Sequence, residues 1–298
     1  MSMKTIALTA PTGMIGSAVY NVLKNKYHLV LIYRDDQKLN MLDAAYGDIN
    51  LHKKIQFDLM DLYRDYCTGF PSSTIGPRAR EFFEAVGTVD GFINCAGMTK
   101  AYSTKDPSMT LFLNSVLPRL LSGWYEEKLI HITTDCVFNG LEGAPYDEQS
   151  LKNPNDLYGL SKSIGEPSER SLILRTSTIG DELAEFVGLL AWFKSQQGNT
   201  VKGFRNHFWN GITSRQYGMI CDAILSNRSA YPRAGLFHIF SNDISKYDML
   251  CKFKEKYKLD LQIEPIEASP AIDRRLRTVY DLCDKLMIPS FETMLADI

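Results

Sequence analysis

The strongest constraint on this chain is a recurring run of short, almost wholly apolar segments that alternate with helical patterns. "KTIALTA" (4–10) precedes a helical stretch from Gly13 to Lys24. "HLVLIYR" (28–34), "KIQFDL" (54–59), "VDGFINCAG" (89–97), "LIHITTDCVF" (129–138), "SLILRTS" (171–177) and "LFHIF" (236–240) repeat the theme. Strands with one wet face alternate apolar and polar residues. These do not, so both faces are expected to be covered. Continuous apolar strands separated by helices predict an α/β fold with a doubly wound parallel sheet, the Rossmann arrangement. A dinucleotide-binding domain is expected over 1–177, completed by the strand near 235–241. A smaller, mainly substrate-binding region over 178–298 is expected to interleave with it.

Residues 193–216, "FKSQQGNTVKGFRNHFWNGITSRQ", read as a loop with some extended structure. Residues 245–257 read as an amphipathic helix opened by Ser245, and a last helix is expected near 290–297. "TGFPSSTIGP" (68–77) reads as a flexible insertion.

At 298 residues the chain can bury a sizeable core, and its formal net charge of −2 gives no basic field for nucleic acid. The six cysteines form no C-x-x-C and no metal-ligand spacing, which predicts buried free thiols in a reducing cytosol and no metal. No signal peptide and no apolar run of membrane-spanning length are read, so a cytoplasmic protein without membrane partners is expected. A second copy of the chain, as a homodimer, is the assembly left open.

The first strand runs into Ala10-Pro11-Thr12-Gly13-Met14-Ile15-Gly16. In a dinucleotide-binding turn the first glycine makes the tight bend, the second admits the pyrophosphate and the third lets helix pack on strand. Gly13 and Gly16 fill the second and third positions, and Ala10 stands at the first. Anion binding needs free N–H groups and the helix dipole, not a side chain at position 10. Alanine costs backbone strain there, and Pro11 offers no N–H.

The chemistry-bearing segment is "YGLSK", 158–162. Tyr158 and Lys162 are four apart and share one face of a helix. An ammonium beside a phenol is expected to lower its pKa, so that it exchanges a proton with an alkoxide near neutrality. Upstream, "TTDCVFNG" (133–140) ends the fifth strand. Thr134 there could hydrogen-bond the oxygen that Tyr158 protonates. "INCAG" (93–97) ends the fourth strand with small residues, Cys95, Ala96 and Gly97, against which a cofactor could lie.

Gly13-x-x-Gly16, "INCAG", "TTDCVF" and "PNDLYGLSKSIGE" (154–166) resemble the extended short-chain dehydrogenase/reductases, specifically the dTDP-4-dehydrorhamnose reductase group. The resemblance is close from about residue 4 to 180 and loose beyond. It implies that Thr134 holds a substrate carbonyl, Tyr158 donates the proton, and Lys162 tunes Tyr158 and binds the nicotinamide ribose. It implies cofactor contacts at Gly13, Met14, Ile15, Gly16, Cys95, Ala96 and Gly97, with Asp58 on the adenine. Asn114 matches a helix asparagine that supports the active-site helix. Substrate contacts are implied at Thr134, Asp135, Cys136 and Thr178. Two of these depart from the group's pattern, which has tyrosine at Cys136 and tryptophan at Thr178, so a non-standard sugar pocket is expected. Relatives that dehydrate carry Asp-Glu after the threonine; this chain reads Asp135-Cys136, which disfavours dehydration.

Lys202 and Arg205 in the 201–211 loop suit a diphosphate. Arg34 directly after the second strand favours NADP(H), while Asp35 and Asp36 leave NAD(H) open. The expected activity is NAD(P)H-dependent reduction of a keto group on a nucleotide-linked deoxysugar. A non-catalytic NADP-binding regulatory subunit of the same fold and a nucleotide-sugar epimerase are the alternatives.

Overall fold

The computed structural model describes residues 3–67 and 76–298; most of the segment read as a flexible insertion, 68–77, lies outside these. In chain order the strands are β1 (Thr5–Thr9), β2 (His28–Tyr33), β3 (Lys53–Gln56), β4 (Gly91–Asn94), β5 (Leu129–Thr134), β6 (Leu172–Thr176) and β7 (Thr178–Ile179). They continue with β8 (Thr200–Phe204), β9 (His207–Trp209), β10 (Ile212–Thr213), β11 (Gly235–His238), β12 (Ile244–Ser245), β13 (Gln262–Ile266) and β14 (Ile272–Asp273). Seven of them form one sheet in the order β11-β6-β5-β4-β1-β2-β3. Every pairing within it is parallel. The fold is the expected doubly wound α/β sheet.

The strands are apolar throughout because both faces are packed. Ile6 and Leu8 point into one cluster with Val19, Tyr217 and Ile220. Ala7, between them, points into the other with Phe82, Phe92 and Leu117. Full burial of such side chains stabilises the fold by about 1.5–3 kcal/mol each. The chain order reverses at β1, whose neighbours are β4 and β2. Ligands of such sheets lie beyond the carboxyl ends of the strands at this reversal.

The second region is smaller and differently built. β8 pairs with β13, β9 with β12 and β14, and β7 with β10. Phe193, Trp209, Leu250, Phe253 and Phe291 form its own cluster. The helix opened by Ser245 runs Lys246–Tyr257, with Ser245 Oγ accepting from the Asp248 N–H. The final helix runs Phe291–Ala296 behind Ser290.

The segment read as a loop, 193–216, instead contributes β8, β9 and β10 and opens a helix at Ser214–Ser226. That helix lies against the opening helix of the chain, Met14–Leu23. A Cβ on Gly218 would stand 3.0 Å from Val22 Cγ2 and 3.2 Å from the Ala18 carbonyl oxygen. The glycine that permits this contact also weakens the helical signal in the sequence. No helix among the described residues is long and apolar enough to cross a membrane.

Candidate active site

The opening turn follows β1 directly. Ala10 adopts φ 48°, the left-handed conformation that the missing glycine would have taken. An L residue bears this at about 1–2 kcal/mol. The third position allows no side chain at all: a Cβ on Gly16 would lie 2.0 Å from the Ala10 carbonyl oxygen. Gly13 is different, since a Cβ there would meet nothing closer than 3.6 Å. No side chain caps the helix that starts at Met14. The N–H groups of Met14, Ile15 and Gly16 therefore begin a helix whose positive end is open to an anion.

At the end of β2, Arg34 is exposed. Both neighbouring acids are occupied. Asp35 caps the helix Asp36–Tyr46, accepting from Gln37 N at 2.8 Å and Lys38 N at 3.1 Å. Asp36 accepts from Tyr33 Oη at 3.0 Å and Gln56 Nε2 at 3.1 Å. Asp58 follows β3 and accepts from Met60 N at 3.0 Å.

The end of β4 is held by a buried polar chain. Thr9 Oγ1 donates to Asn94 Oδ1 at 2.7 Å and accepts from the N–H groups of Cys95 (3.0 Å) and Ala96 (3.1 Å). Asn94 Nδ2 donates to His131 Nδ1 at 3.1 Å. Burial, aided by the nearby Lys162 charge, pushes His131 down to about 3. A Cβ on Gly97 would sit 2.7 Å from Lys162 Nζ and 2.9 Å from Asn114 Oδ1. The lysine thus reaches the small-residue end of β4.

β5 stops at Thr134, short of the expected Phe138. Thr134 Oγ1 accepts from Cys136 N at 3.1 Å and donates to Asp135 Oδ1 at 3.1 Å. This caps a tight turn over Asp135–Val137 and breaks the strand. The helix Leu157–Ile164 carries Tyr158 and Lys162, and Asp156 caps it by accepting from Gly159 N at 2.8 Å. Two glycines let this helix dock on backbone. A Cβ on Gly159 would meet the Cys136 carbonyl oxygen at 2.1 Å, and one on Gly165 the Asn114 carbonyl oxygen at 1.8 Å.

Asn114 lies in a π-helical turn, Phe112–Val116, of a kind frequent at functional sites. Its amide donates to Ser161 Oγ at 3.0 Å and to the Met98 carbonyl at 3.1 Å, and its oxygen accepts from Met98 N at 2.8 Å. It ties the Tyr158 helix to the segment after β4, as the resemblance implied. Beyond the helix, Glu166 takes Arg175 through two bonds, at 3.0 and 2.6 Å. Arg175 Nη1 donates to His238 Nε2 at 2.8 Å. His238 Nδ1–H therefore donates to the Arg277 carbonyl, also at 2.8 Å. Burial and the Arg175 charge push His238 down to about 4, so it is neutral.

The electrostatics of the pair differ from expectation. Burial raises the Tyr158 phenol above its ordinary range, with the neighbouring Cys136 adding to the rise and a Thr134 side-chain hydrogen bond opposing it. The Lys162 ammonium lies beside Gly97, where Asn114 Oδ1 also points. Burial pushes Lys162 down to about 8, against the pull of Cys95 and Glu166. At neutral pH the site therefore holds a protonated phenol and a protonated amine.

Of the other residues singled out in the sequence, Thr178 stands in β7. Lys202 is exposed on β8. Arg205 lies with its guanidinium 5.4 Å from the Tyr247 ring centroid. Three cations not singled out in the sequence face the Thr134–Cys136 turn: Lys246, which Asp135 and Cys136 attract, and Arg274 and Lys100, both of which act on Cys136. Lys246 was hidden within a helix pattern. Arg274 sits in "IDRRLRTV", whose packing against Phe138 no spacing reveals.

The fold belongs with the Rossmann-type α/β proteins, and the chain matches the RmlD substrate binding domain family over residues 87–280. The chain belongs to this family. Among curated relatives, methionine adenosyltransferase 2 subunit beta of Bos taurus is 28% identical over 171 residues. That match covers 53% of this chain and only 51% of the relative, so the chain spans about half the length of that protein. The "Probable low-salt glycan biosynthesis reductase Agl14" of Haloferax volcanii is 27% identical over 250 residues, 78% of this chain and 73% of the relative. The structure of dTDP-4-dehydrorhamnose reductase from Bacillus anthracis in complex with NADP superimposes with a TM-score of 0.69 at 15% identity. The match covers 99% of this chain and 98% of that one.

Proposed function

We propose that this chain reduces a keto group on a nucleotide-linked deoxysugar, with NADPH as the hydride source. The observation that carries the reading is the convergence of Thr134, Tyr158 and Lys162 at the carboxyl ends of β4 and β5. They stand beside a helix start that no side chain caps.

The residues present suit a dinucleotide. Gly16 and Gly97 occupy places where a Cβ has no room. Gly13 is not required by any protein contact, which fits a role in close approach of a pyrophosphate. The Met14–Gly16 amides would hold that pyrophosphate and Lys162 the nicotinamide ribose. With Asp35 and Asp36 engaged, Arg34 is the free group for a 2′-phosphate, which supports NADPH over NADH. The cofactor, when bound, supplies hydride to the carbonyl carbon.

The chain's own residues handle the oxygen. Thr134 turns its proton from Asp135 to the carbonyl oxygen and stabilises the developing charge. Tyr158, protonated because burial raises its pKa, gives its proton to the same oxygen. The product is the alcohol, and solvent returns a proton to the phenolate. Cys136, pushed up to about 12 chiefly by burial, stays a neutral thiol and contributes shape. No Glu follows Asp135, so the elimination of a dehydratase lacks its second group.

NADPH consumption against a panel of dTDP- and UDP-linked 4-keto-6-deoxy sugars tests the reading. Turnover with at least one, and an alcohol product, is expected. The relation to methionine adenosyltransferase 2 subunit beta supports a second reading, a regulatory NADP-binding subunit. NADPH binding without turnover across the whole panel favours that one. Isomerised sugar without net NADPH consumption favours an epimerase.

A further inference from the structure

Lys246 is the first residue of the helix Lys246–Tyr257, directly after the Ser245 cap. The start of a helix already carries partial positive charge, so a cation is disfavoured there. Among the described residues its ammonium makes no ion pair. Its polar contact is Met249 Sδ at 3.9 Å, and the Trp209 ring centroid lies 5.4 Å away. Arg274 stands close by and is fixed in place, Nε donating to the Phe138 carbonyl at 2.9 Å and Nη2 to the Asn139 carbonyl at 3.0 Å. Gly140 leaves room for it, since a Cβ there would meet Arg274 Cγ at 2.8 Å.

The groups facing Lys246 are Asp135 and Cys136, which favour its charge, and Arg274, which opposes it. His207 is held below its ordinary value mainly by burial, and also by both cations. Cys136 and His207 are neutral at pH 7. Lys100 and Asp156, an ion pair at 2.8 Å, also border this place and cancel each other, which leaves two cations, Lys246 and Arg274, against one carboxylate, Asp135. Asp135 follows Thr134 in the chain, so the surplus positive charge lies at the sugar end of the site. Both cations are partly buried, and like charge gathered without a matching carboxylate beside a site suits a ligand of opposite sign.

We propose that Lys246 is a substrate-binding residue that, with Arg274, holds an oxyanion of the substrate against the Thr134–Cys136 turn. The inference rests on the nucleotide-sugar reading above. It names the missing piece of that site, a point charge where Thr134, Asp135 and Tyr158 provide only hydroxyls and a carboxylate and Lys162 lies beside Gly97. Two parts of such a substrate carry an oxyanion: the phosphoryl group joined to the sugar and a carboxylate on the ring.

Isothermal titration separates them, with UDP, dTDP, UDP-glucose, UDP-glucuronate and free glucuronate as probes and NADPH as the control for an intact fold. In K246M, affinity is expected to fall about tenfold or more, with NADPH affinity unchanged and K246R close to the parent. A loss shared by UDP, dTDP and UDP-glucose assigns the oxyanion to the phosphoryl group. A loss confined to the two glucuronate probes assigns it to a ring carboxylate. K246Q gives the same readout should methionine not be tolerated. Parent-like affinity for every probe in K246M, or in K246Q in its place, overturns the proposal. A parent protein that binds NADPH but none of the five probes overturns the nucleotide-sugar reading first, and this inference with it.

Discussion

The sheet side and the substrate side of this molecule accommodate their glycines in opposite ways. On the sheet side the tightest contacts are to backbone: Gly16 on the Ala10 carbonyl, Gly159 on the Cys136 carbonyl, Gly165 on the Asn114 carbonyl, whereas Gly91 and Gly97 face side chains at longer range. Peptide groups so placed cannot step aside. On the substrate side the neighbours are mostly side chains: Gly203 faces Tyr247 and Ile263, Gly188 the carboxylate of Glu182, Gly140 the stem of Arg274. Gly211 is an exception, against the Ser177 carbonyl, where the chain passes from one side to the other. The difference teaches a division of labour. Thr134, Tyr158 and Lys162 are set by an unyielding frame, whereas the groups that would choose a sugar rest on packing that can be changed.

A single added methyl group tests this directly. G16A is expected to destabilise the fold by about 3 kcal/mol, because its methyl group has only backbone to push against. G203A, with side chains as its principal neighbours, is expected to cost about 1 kcal/mol. Urea unfolding of the two variants side by side measures the gap, and equal losses would erase the distinction.

Acid comes next. His131 and His238 are pushed down to about 3 and about 4, mainly by burial, against an ordinary value of 6.5. Below pH 6.5 the unfolded chain takes up protons that the folded chain refuses. Stability is therefore fully present above that pH. It falls by about 1.4 kcal/mol per pH unit for each histidine until the folded values are reached. Urea midpoints at pH 7.5 and pH 5 check the sign; a midpoint that rises on acidification contradicts it.

R34A gives the smallest effect. NADPH affinity is expected to fall about tenfold with NADH affinity unchanged, read by direct titration of each. An equal fall for both would move the 2′-phosphate contact elsewhere.

Much of the frame was legible in the sequence. Runs such as "HLVLIY" announce a strand packed on both faces, and Ser245 and Ser290 announce helix starts. Strand ends were read too long where a side chain bends the chain: Thr134 caps its own turn, and "LIHITTDCVF" offers no breaker before Phe138. The helix Ser214–Ser226 was hidden by Gly218, whose small size is what its packing needs. The pairing of Tyr158 with Lys162 on one helix face was correct in spacing. Its electrostatic consequence was not legible, because the burial that raises the Tyr158 phenol is a property of the fold and not of the spacing. Lys246 and Arg274 escaped because they come from a helix start and a late loop that only the fold brings to Thr134.

The account's central claim is that Tyr158 supplies the proton at a site whose cofactor cradle is independent of it. Measuring kcat and NADPH affinity for Y158F on the keto-sugar that the parent turns over is the most direct test. The account predicts a fall in kcat of about 10²–10⁴ with NADPH affinity retained. Reduction at the parent rate by Y158F would contradict it.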